Sequence, residues 1–289
     1  MSQIKALIKK EFWTQKNLIF LPFYIQGGIY LLMLIVILVA WLKSDADLNF
    51  VSTGLENFSG EIDNIYFWIF GTIITIIPAV LVLFSYFGVS TNIVNDDYKH
   101  KCVLFYNTIP VSFLKKILVK ISFVTVISGA SILAISIINI IINSIIASFF
   151  IKIHIGYILL GLVQSFVLIT LSMIFIQSIV WLFASIFKTK TGNSMIITYV
   201  IYKMIAVISK VFIGDSIYKL FSSFENYIVN LVLPNLKISF QNLMMEEYAK
   251  DLIITNWNNI FSFNSIQKII FATILFTISA FIIQKREIE

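Results

Sequence analysis

Residues 157–187, YILLGLVQSFVLITLSMIFIQSIVWLFASIF, contain no aspartate, glutamate, lysine or arginine. A helix needs roughly 20 mostly apolar residues to cross the hydrocarbon core of a bilayer, and this run exceeds that length. Five further runs of the chain are similarly apolar. The sequence therefore predicts an all-α integral membrane protein with six transmembrane helices, over residues 18–42, 66–90, 119–150, 157–187, 194–213 and 266–284.

The composition favours a single membrane domain. Of the 289 residues, 59% are hydrophobic and 12% are charged, and the mean hydropathy is +0.93. Soluble domains carry about 25% charged residues. Since six spans and their loops use the whole length, we expect residues 1–289 to form one transmembrane domain. The net charge of +6 does not indicate nucleic-acid binding, because the basic residues concentrate at the predicted membrane edges.

The distribution of lysine and arginine predicts the orientation of the chain. Thirteen of the 21 basic residues fall in the N-terminus, in residues 91–120, in residues 188–193 and in the C-terminus. Alternating spans place these four segments on the same side of the membrane. Because cytoplasmic segments are enriched in lysine and arginine, both termini are predicted to be cytoplasmic. We expect a multi-pass protein of a cell membrane, of the bacterial plasma membrane type.

Two segments outside the spans have helical patterns of their own. In residues 3–17, Ile4, Leu7 and Ile8 recur at helical spacing while the lysines lie largely off that face. This pattern predicts an N-terminal amphipathic helix in the cytoplasmic interface, and the alternative is a basic leader that only fixes orientation. Residues 214–264 form a long outer segment, for which apolar repeats predict re-entrant or amphipathic outer helices between spans five and six.

Lys203 is the basic residue that the sequence places deepest in a span. If the fifth span starts near Ser194, nine helical steps put Lys203 roughly 13–14 Å inside the membrane. A charge at that depth should face protein or water, which indicates a functional residue. Tyr199 shares its helical face, so we assign both residues to the substrate pathway. The alternative is that the helix begins elsewhere and Lys203 extends its ammonium to an interface.

Asn139 and Asn143 are the second candidate pair for the substrate pathway. They lie one helical turn apart within the predicted third span, so they share one face. Polar residues inside a span pack against other helices rather than against lipid. The alternative interpretation for each is an ordinary hydrogen bond between helices.

The sequence lacks the short motifs of most catalytic and metal sites. It contains no GxxxxGK[ST] phosphate loop, no HExxH, no paired CxxC and no GxSxG. We therefore predict no enzyme activity, no metal and no cofactor in this chain. A secondary transporter, which would need an acid or a sodium site within the spans, a membrane-embedded enzyme with a polar cluster at one depth, and a purely structural membrane partner remain as alternatives.

Residues 90–120, STNIVNDDYKHKCVLFYNTIPVSFLKKILVK, carry acids, then a basic cluster, then a Pro-Val-Ser turn at 110–112 and lysines that lead into the third span. This order resembles the first cytoplasmic loop of ABC transporter permeases of the type-2 family. The basic N-terminal helix, the six spans and the long outer segment also match that family across nearly the whole chain. One departure is that the family often has a glutamate where Asn95, Asp96 and Asp97 stand here.

The resemblance implies the membrane subunit of an ATP-driven exporter, which pairs with a second permease, identical or homologous. A separate ATP-binding cassette subunit would bind ATP and Mg and would dock on a cytoplasmic coupling helix within the coupling loop, residues 91–118. The implied substrate is an amphipathic or hydrophobic peptide, a lipid or a drug. The residues expected to couple to the ATPase are Asp96, Asp97, Tyr98, Lys99, Phe105, Tyr106, Lys115 and Lys116.

Overall fold

The computed structural model describes residues 2–43, 63–99, 112–148, 153–237 and 246–288. Within these ranges the chain is almost entirely helical and forms no strand. The same ranges contain one turn of 3-10 helix at Lys188–Lys190 and eight α-helices, which are α1 (Ser2–Lys43), α2 (Asp63–Lys99), α3 (Phe113–Ser148), α4 (Ile155–Phe187), α5 (Thr191–Phe212), α6 (Asp215–Val232), α7 (Glu246–Ile260) and α8 (Phe263–Ile288).

Six helical stretches are long and apolar enough to cross a membrane. They are Gln3–Val36, Asn64–Asn95, Phe113–Ser148, Ile155–Phe187, Thr191–Phe212 and Lys250–Arg286. Each includes most or all of one predicted span, so the prediction of a multi-pass helical membrane protein is confirmed at this level. The third helix begins at Phe113, before the predicted 119, because it continues through Lys115 and Lys116, which a search for apolar runs leaves out. The fifth begins three residues earlier than predicted, at Thr191, and includes the polar residues Thr191 and Asn193.

The predicted interfacial helix, 3–17, and the first predicted span, 18–42, form one helix in the structure. α1 runs from Ser2 to Lys43 and includes Pro22. No glycine or proline stands between residues 3 and 21, so nothing in the local sequence interrupts the backbone hydrogen-bond ladder at the predicted boundary. A separate helix with a break near residue 17 is therefore not observed.

Helices α2 and α3 are longer than a bilayer requires. With 37 and 36 residues, they extend over roughly 54–55 Å at about 1.5 Å per residue, against about 30 Å of hydrocarbon. The predicted coupling loop, 91–118, is therefore partly helical, since α2 continues to Lys99 and α3 begins at Phe113. The coupling helix was expected within this loop, and the middle of the loop, residues 100–111, lies outside the described residues.

Helix α4 lies at the centre of the bundle and packs mainly against α2 and α8. Its contact with α2 is close enough to exclude a methyl group at two points. A Cβ atom added to Gly71 would collide with the carbonyl of Ile158, and one added to Gly161 would collide with the carbonyl of Trp68. Next to this contact, the Nε1 of Trp68 donates to the Oε1 of Gln164 at 2.8 Å, and both side chains are fully buried. Such small-residue contacts are typical of helix packing in membranes.

Helices α6 and α7 occupy the segment 214–264, where helices between the fifth and sixth spans were predicted. Gly214 separates α5 from α6 with a φ of 110°, a left-handed conformation that favours glycine. α6 is strongly amphipathic, and among its residues only Leu231 is buried. α7 is tied to the chain after α6, because the Nδ2 of Asn256 donates to the carbonyl of Lys237 at 2.9 Å.

Candidate functional site

Lys203 forms an ion pair that joins α5 to α6. Its Nζ lies 2.6 Å from the Oε2 of Glu225. The hydroxyl of Tyr199 donates to the other oxygen of Glu225 at 3.2 Å, and the ammonium also lies 5.6 Å from the centre of the Tyr199 ring. The side chains of Lys203 and Glu225 remain 45% and 26% exposed. Tyr199, Lys203 and Glu225 therefore form one polar cluster, which we call the α5–α6 cluster.

The sharp turn at Gly214 places these three residues together. Helix α6 folds back along α5, where the hydroxyl of Tyr202 donates to the carbonyl of Phe221 at 2.6 Å and the two rings pack edge to face. Tyr199 and Lys203 are four residues apart and so occupy neighbouring positions on one face of α5. The Lys203 ammonium, mainly through its hydrogen bond, holds the pKa of Glu225 below its ordinary value.

The chemistry of the α5–α6 cluster differs from that of a lone lysine. Because the ammonium of Lys203 already binds a carboxylate, an acidic ligand would have to share or displace Glu225. The cluster presents one cation and one anion, each partly exposed, on the same surface. It is therefore suited to a group with both charges, or to exchange of partners within the cluster.

Asn139 and Asn143 have a different partner from Lys203. The hydroxyl of Tyr30 in α1 donates to the Oδ1 of Asn139 at 2.8 Å, and the Nδ2 of Asn143 donates to that hydroxyl at 3.0 Å. Asn139 is buried and Asn143 is half-buried. The two asparagines thus hold α1 against α3, as their alternative interpretation predicted, and the structure does not join them to the α5–α6 cluster.

Lys268 is a buried cation that the sequence analysis did not single out. Its side chain is 1% exposed, and its Nζ donates to the Oγ of Ser172 in α4 at 2.8 Å and to the carbonyl of Leu233 at 2.7 Å. Leu233 caps the C-terminus of α6, where a cation interacts favourably with the last carbonyls of a helix. Lys268 therefore anchors α6 to the α4–α8 pair.

Two hydrogen bonds connect the ends of the predicted coupling segment to the bundle. The Nζ of Lys120 in α3 donates to the carbonyl of Ile93 in α2 at 3.0 Å. The Nδ2 of Asn95 donates to the carbonyl of Lys188 at 2.8 Å, and Lys188 begins the turn that leads into α5 with a φ of 53°. The end of α2 is thus bonded both to α3 and to the turn before α5.

The residues expected to contact an ATPase lie around these bonds. Lys115 is exposed and Lys116 is half-buried in the first turns of α3. The backbones of Asp96, Asp97, Tyr98 and Lys99 form the last turn of α2, while their side chains lie outside what the structure describes. Phe105 and Tyr106 lie outside the described residues. In the part of the chain that is described, no three His, Cys, Asp or Glu side chains are grouped to hold a metal ion.

The chain matches no protein-family model, no curated protein and no solved structure.

Proposed function

We propose that this protein is the membrane-spanning permease subunit of an ABC exporter. Two such subunits form the translocation pathway, and a separate ATP-binding subunit binds ATP and Mg and supplies the energy. One observation carries the proposal: residues 90–120 have the permease-like order of acids, bases, Pro-Val-Ser turn and lysines, and Lys120 bonds the two helices that flank this segment. The orientation from the basic residues puts this segment in the cytoplasm, where such a partner would dock.

A contiguous path of contacts supports transmission from the docking segment to the α5–α6 cluster. Asn95, near the end of α2, binds the carbonyl of Lys188. Lys188 leads directly into α5, which carries Lys203, and Lys203 binds Glu225 of α6. In this mechanism a force on the end of α2 tilts α5 through the Asn95–Lys188 bond and changes the exposure of the cluster.

The proposed substrate is an amphipathic or hydrophobic molecule, such as a membrane-active peptide, a lipid or a drug. The paired charges of Lys203 and Glu225, both partly exposed, suit a peptide that carries an acidic and a basic group. Such a ligand exchanges one ion pair for two and leaves no charge unpaired at membrane depth, where an unpaired charge is costly. The pathway then lies between two copies, or two homologous permeases, facing α5.

The decisive experiment isolates the tagged protein from its native membrane and measures both composition and ATP hydrolysis. We expect an ATP-binding cassette subunit in fixed stoichiometry. Replacing Tyr98, Phe105 and Tyr106 together with alanine should weaken this association or uncouple hydrolysis from transport, because aromatic side chains often dominate interface energies. The control is Phe212→Ala, an aromatic residue of α5 that is 82% exposed. Absence of any ATP-binding subunit overturns the proposal, and a fully coupled triple variant shows that docking occurs elsewhere.

An ion-coupled secondary transporter is the second candidate, and one observation favours it. Glu225 supplies an acid next to the fifth span, which the sequence of that span alone does not contain. Transport assays in proteoliposomes separate the two functions. An ABC exporter requires ATP and the partner subunit and is insensitive to a protonophore, whereas a proton-coupled transporter works without ATP and stops when the gradient is dissipated.

A further inference from the structure

A groove with a volume of about 330 Å³ lies between the first turns of α1 and the first half of α3. Ile4 and Ile8 form one side, and Leu118, Ser122 and Val126 are among the residues that form the other. Every lining residue except Ser122 is apolar. Ligand pockets commonly have volumes of roughly 300–1,000 Å³, so the groove is large enough to hold part of a lipid molecule.

The groove lies at one end of the bundle and opens outward. α1 and α3 run in the same direction, because Tyr30, further along α1, bonds to Asn139, further along α3. The groove is therefore near the end where both helices begin, which the distribution of basic residues predicts to be the cytoplasmic side. Ile4, Leu118 and Val126 remain 44%, 59% and 66% exposed. Since both helices are long and apolar enough to cross a membrane, the acyl chains of surrounding lipids can reach these side chains.

Three exposed lysines border this groove. Lys115 comes three residues before Leu118, about one helical turn, and so lies on the face of α3 that lines the groove. Lys5 and Lys9 each directly follow one of the two groove residues of α1. In the described part of the chain, none of the three ammonium groups forms an ion pair. They are therefore available to an anion at the rim of the groove.

Acidic residues are scarce on the two helices that form the groove. α3 contains no aspartate or glutamate, and α1 contains only Glu11. The Glu11 side chain is buried, and its carboxylate lies 3.6 Å from the Nζ of Lys10. It is therefore shielded from solvent and has a cation of its own. The described surroundings of the groove carry net positive charge beside an apolar surface, which is the chemistry of a site for an anionic amphiphile.

We propose that the groove binds one anionic phospholipid of the cytoplasmic leaflet. The lipid phosphate lies among the ammonium groups of Lys5, Lys9 and Lys115, and one acyl chain runs along α3 past Ser122 toward Val126. Lys115 and Val126 are 11 residues apart, so this path is roughly 16 Å long, about half of the hydrocarbon thickness. A zwitterionic lipid has the same chains, but its own cation opposes the lysines. The inference does not depend on the proposed export function.

The test uses the full-length protein in phosphatidylcholine nanodiscs that contain increasing fractions of phosphatidylglycerol with a diazirine in one acyl chain. After irradiation, mass spectrometry should find adducts on residues 4–8 and 118–127, and this labelling should saturate. Phosphatidylcholine with the same diazirine-bearing chain should label these residues at least about fivefold less, the factor that corresponds to the attraction of a single lysine near a membrane surface. Excess unlabelled phosphatidylglycerol should suppress the labelling, whereas inorganic phosphate should not, because it has no chain to occupy the groove.

Two substitutions, each with a matched control, test the charged rim and the apolar wall. Lys115→Gln should reduce labelling by phosphatidylglycerol about fivefold, whereas Lys190→Gln, at an exposed lysine outside the groove, should not. Val126→Trp should fill the groove and remove the adducts, whereas Val211→Trp, at a valine of α5 that is 74% exposed, should not. Equal labelling by the two lipids, labelling that does not saturate, displacement by inorganic phosphate, or test variants that behave like their controls would each overturn the proposal. Absence of any adduct at the groove, as expected if another helix covers it, would overturn it as well.

Discussion

Replacing Gly161 with alanine should separate α2 from α4. The new Cβ atom would meet the carbonyl oxygen of Trp68 and, at 3.1 Å, both the amide nitrogen and the Oγ1 of Thr72. Two of these atoms belong to the backbone, which cannot move aside as a side chain can. We therefore expect a cost of about 3 kcal/mol, at the upper end of the 1–3 kcal/mol typical of overpacking. Separation also strains the Trp68–Gln164 hydrogen bond, worth about 0.6 kcal/mol between helices in a membrane. The higher helix propensity of alanine offsets up to about 1 kcal/mol of this loss of stability.

The net expectation is that Gly161→Ala lowers the free energy of unfolding by roughly 2–3 kcal/mol. Reversible unfolding in mixed micelles, followed by the fluorescence of a reporter on α2 or α4, measures this difference. The control is Gly156→Ala in the same helix, where an added Cβ atom meets nothing within 4 Å. That variant should be unchanged or stabilised by up to about 1 kcal/mol. Equal stability of the two variants would refute the backbone contact between α2 and α4.

Three further predictions concern orientation, charge and coupling. An impermeant thiol reagent should not label Cys102 in intact cells but should label a cysteine placed at Ser59, and the opposite result reverses the orientation. Transport should fall in each of the variants Lys203→Glu and Glu225→Lys. The double exchange should restore it in part, because the ion pair is re-formed. Absence of any rescue would show that the ion pair itself is unimportant for transport. Asn95→Leu removes the hydrogen bond to the Lys188 carbonyl. Under the proposed export function it should lower transport per ATP hydrolysed without preventing assembly with the ATPase, and unchanged coupling would exclude this route.

The spans could be predicted because an apolar run of sufficient length is a local property of the sequence. The end of the predicted interfacial helix could not be predicted in this way. The pattern of lysines in residues 3–17 shows which face of a helix is polar, but it does not show where the helix ends. A glycine or proline that interrupts the backbone hydrogen-bond ladder would favour such an end, and none stands between residues 3 and 21. The single helix α1 is therefore a result of the structure.

The candidate site was only partly predictable for a different reason. The predicted depth of Lys203 rests on its position in an apolar run, but its partner Glu225 lies 22 residues further along the chain. That pairing depends on the fold-back at Gly214, whose left-handed φ has no unique signal in the sequence. The same holds for Lys268, which bonds to residues 96 and 35 positions away. A sequence pattern identifies which residues are costly to bury, whereas the tertiary fold decides what satisfies them.

The contact at Gly71 and Gly161 holds α2 and α4 close together near the N-terminal end of each helix. Ser90 lies 19 residues beyond Gly71, a distance of roughly 28 Å along the helix. A rotation of about 5° around the pinned contact would move Ser90 by about 2.5 Å relative to α4. Such a rotation leaves the contact at Gly71 and Gly161, where the two backbones already touch, unchanged. A small tilt of either helix therefore produces a larger displacement at the far end of the pair than at the contact between Gly71 and Gly161.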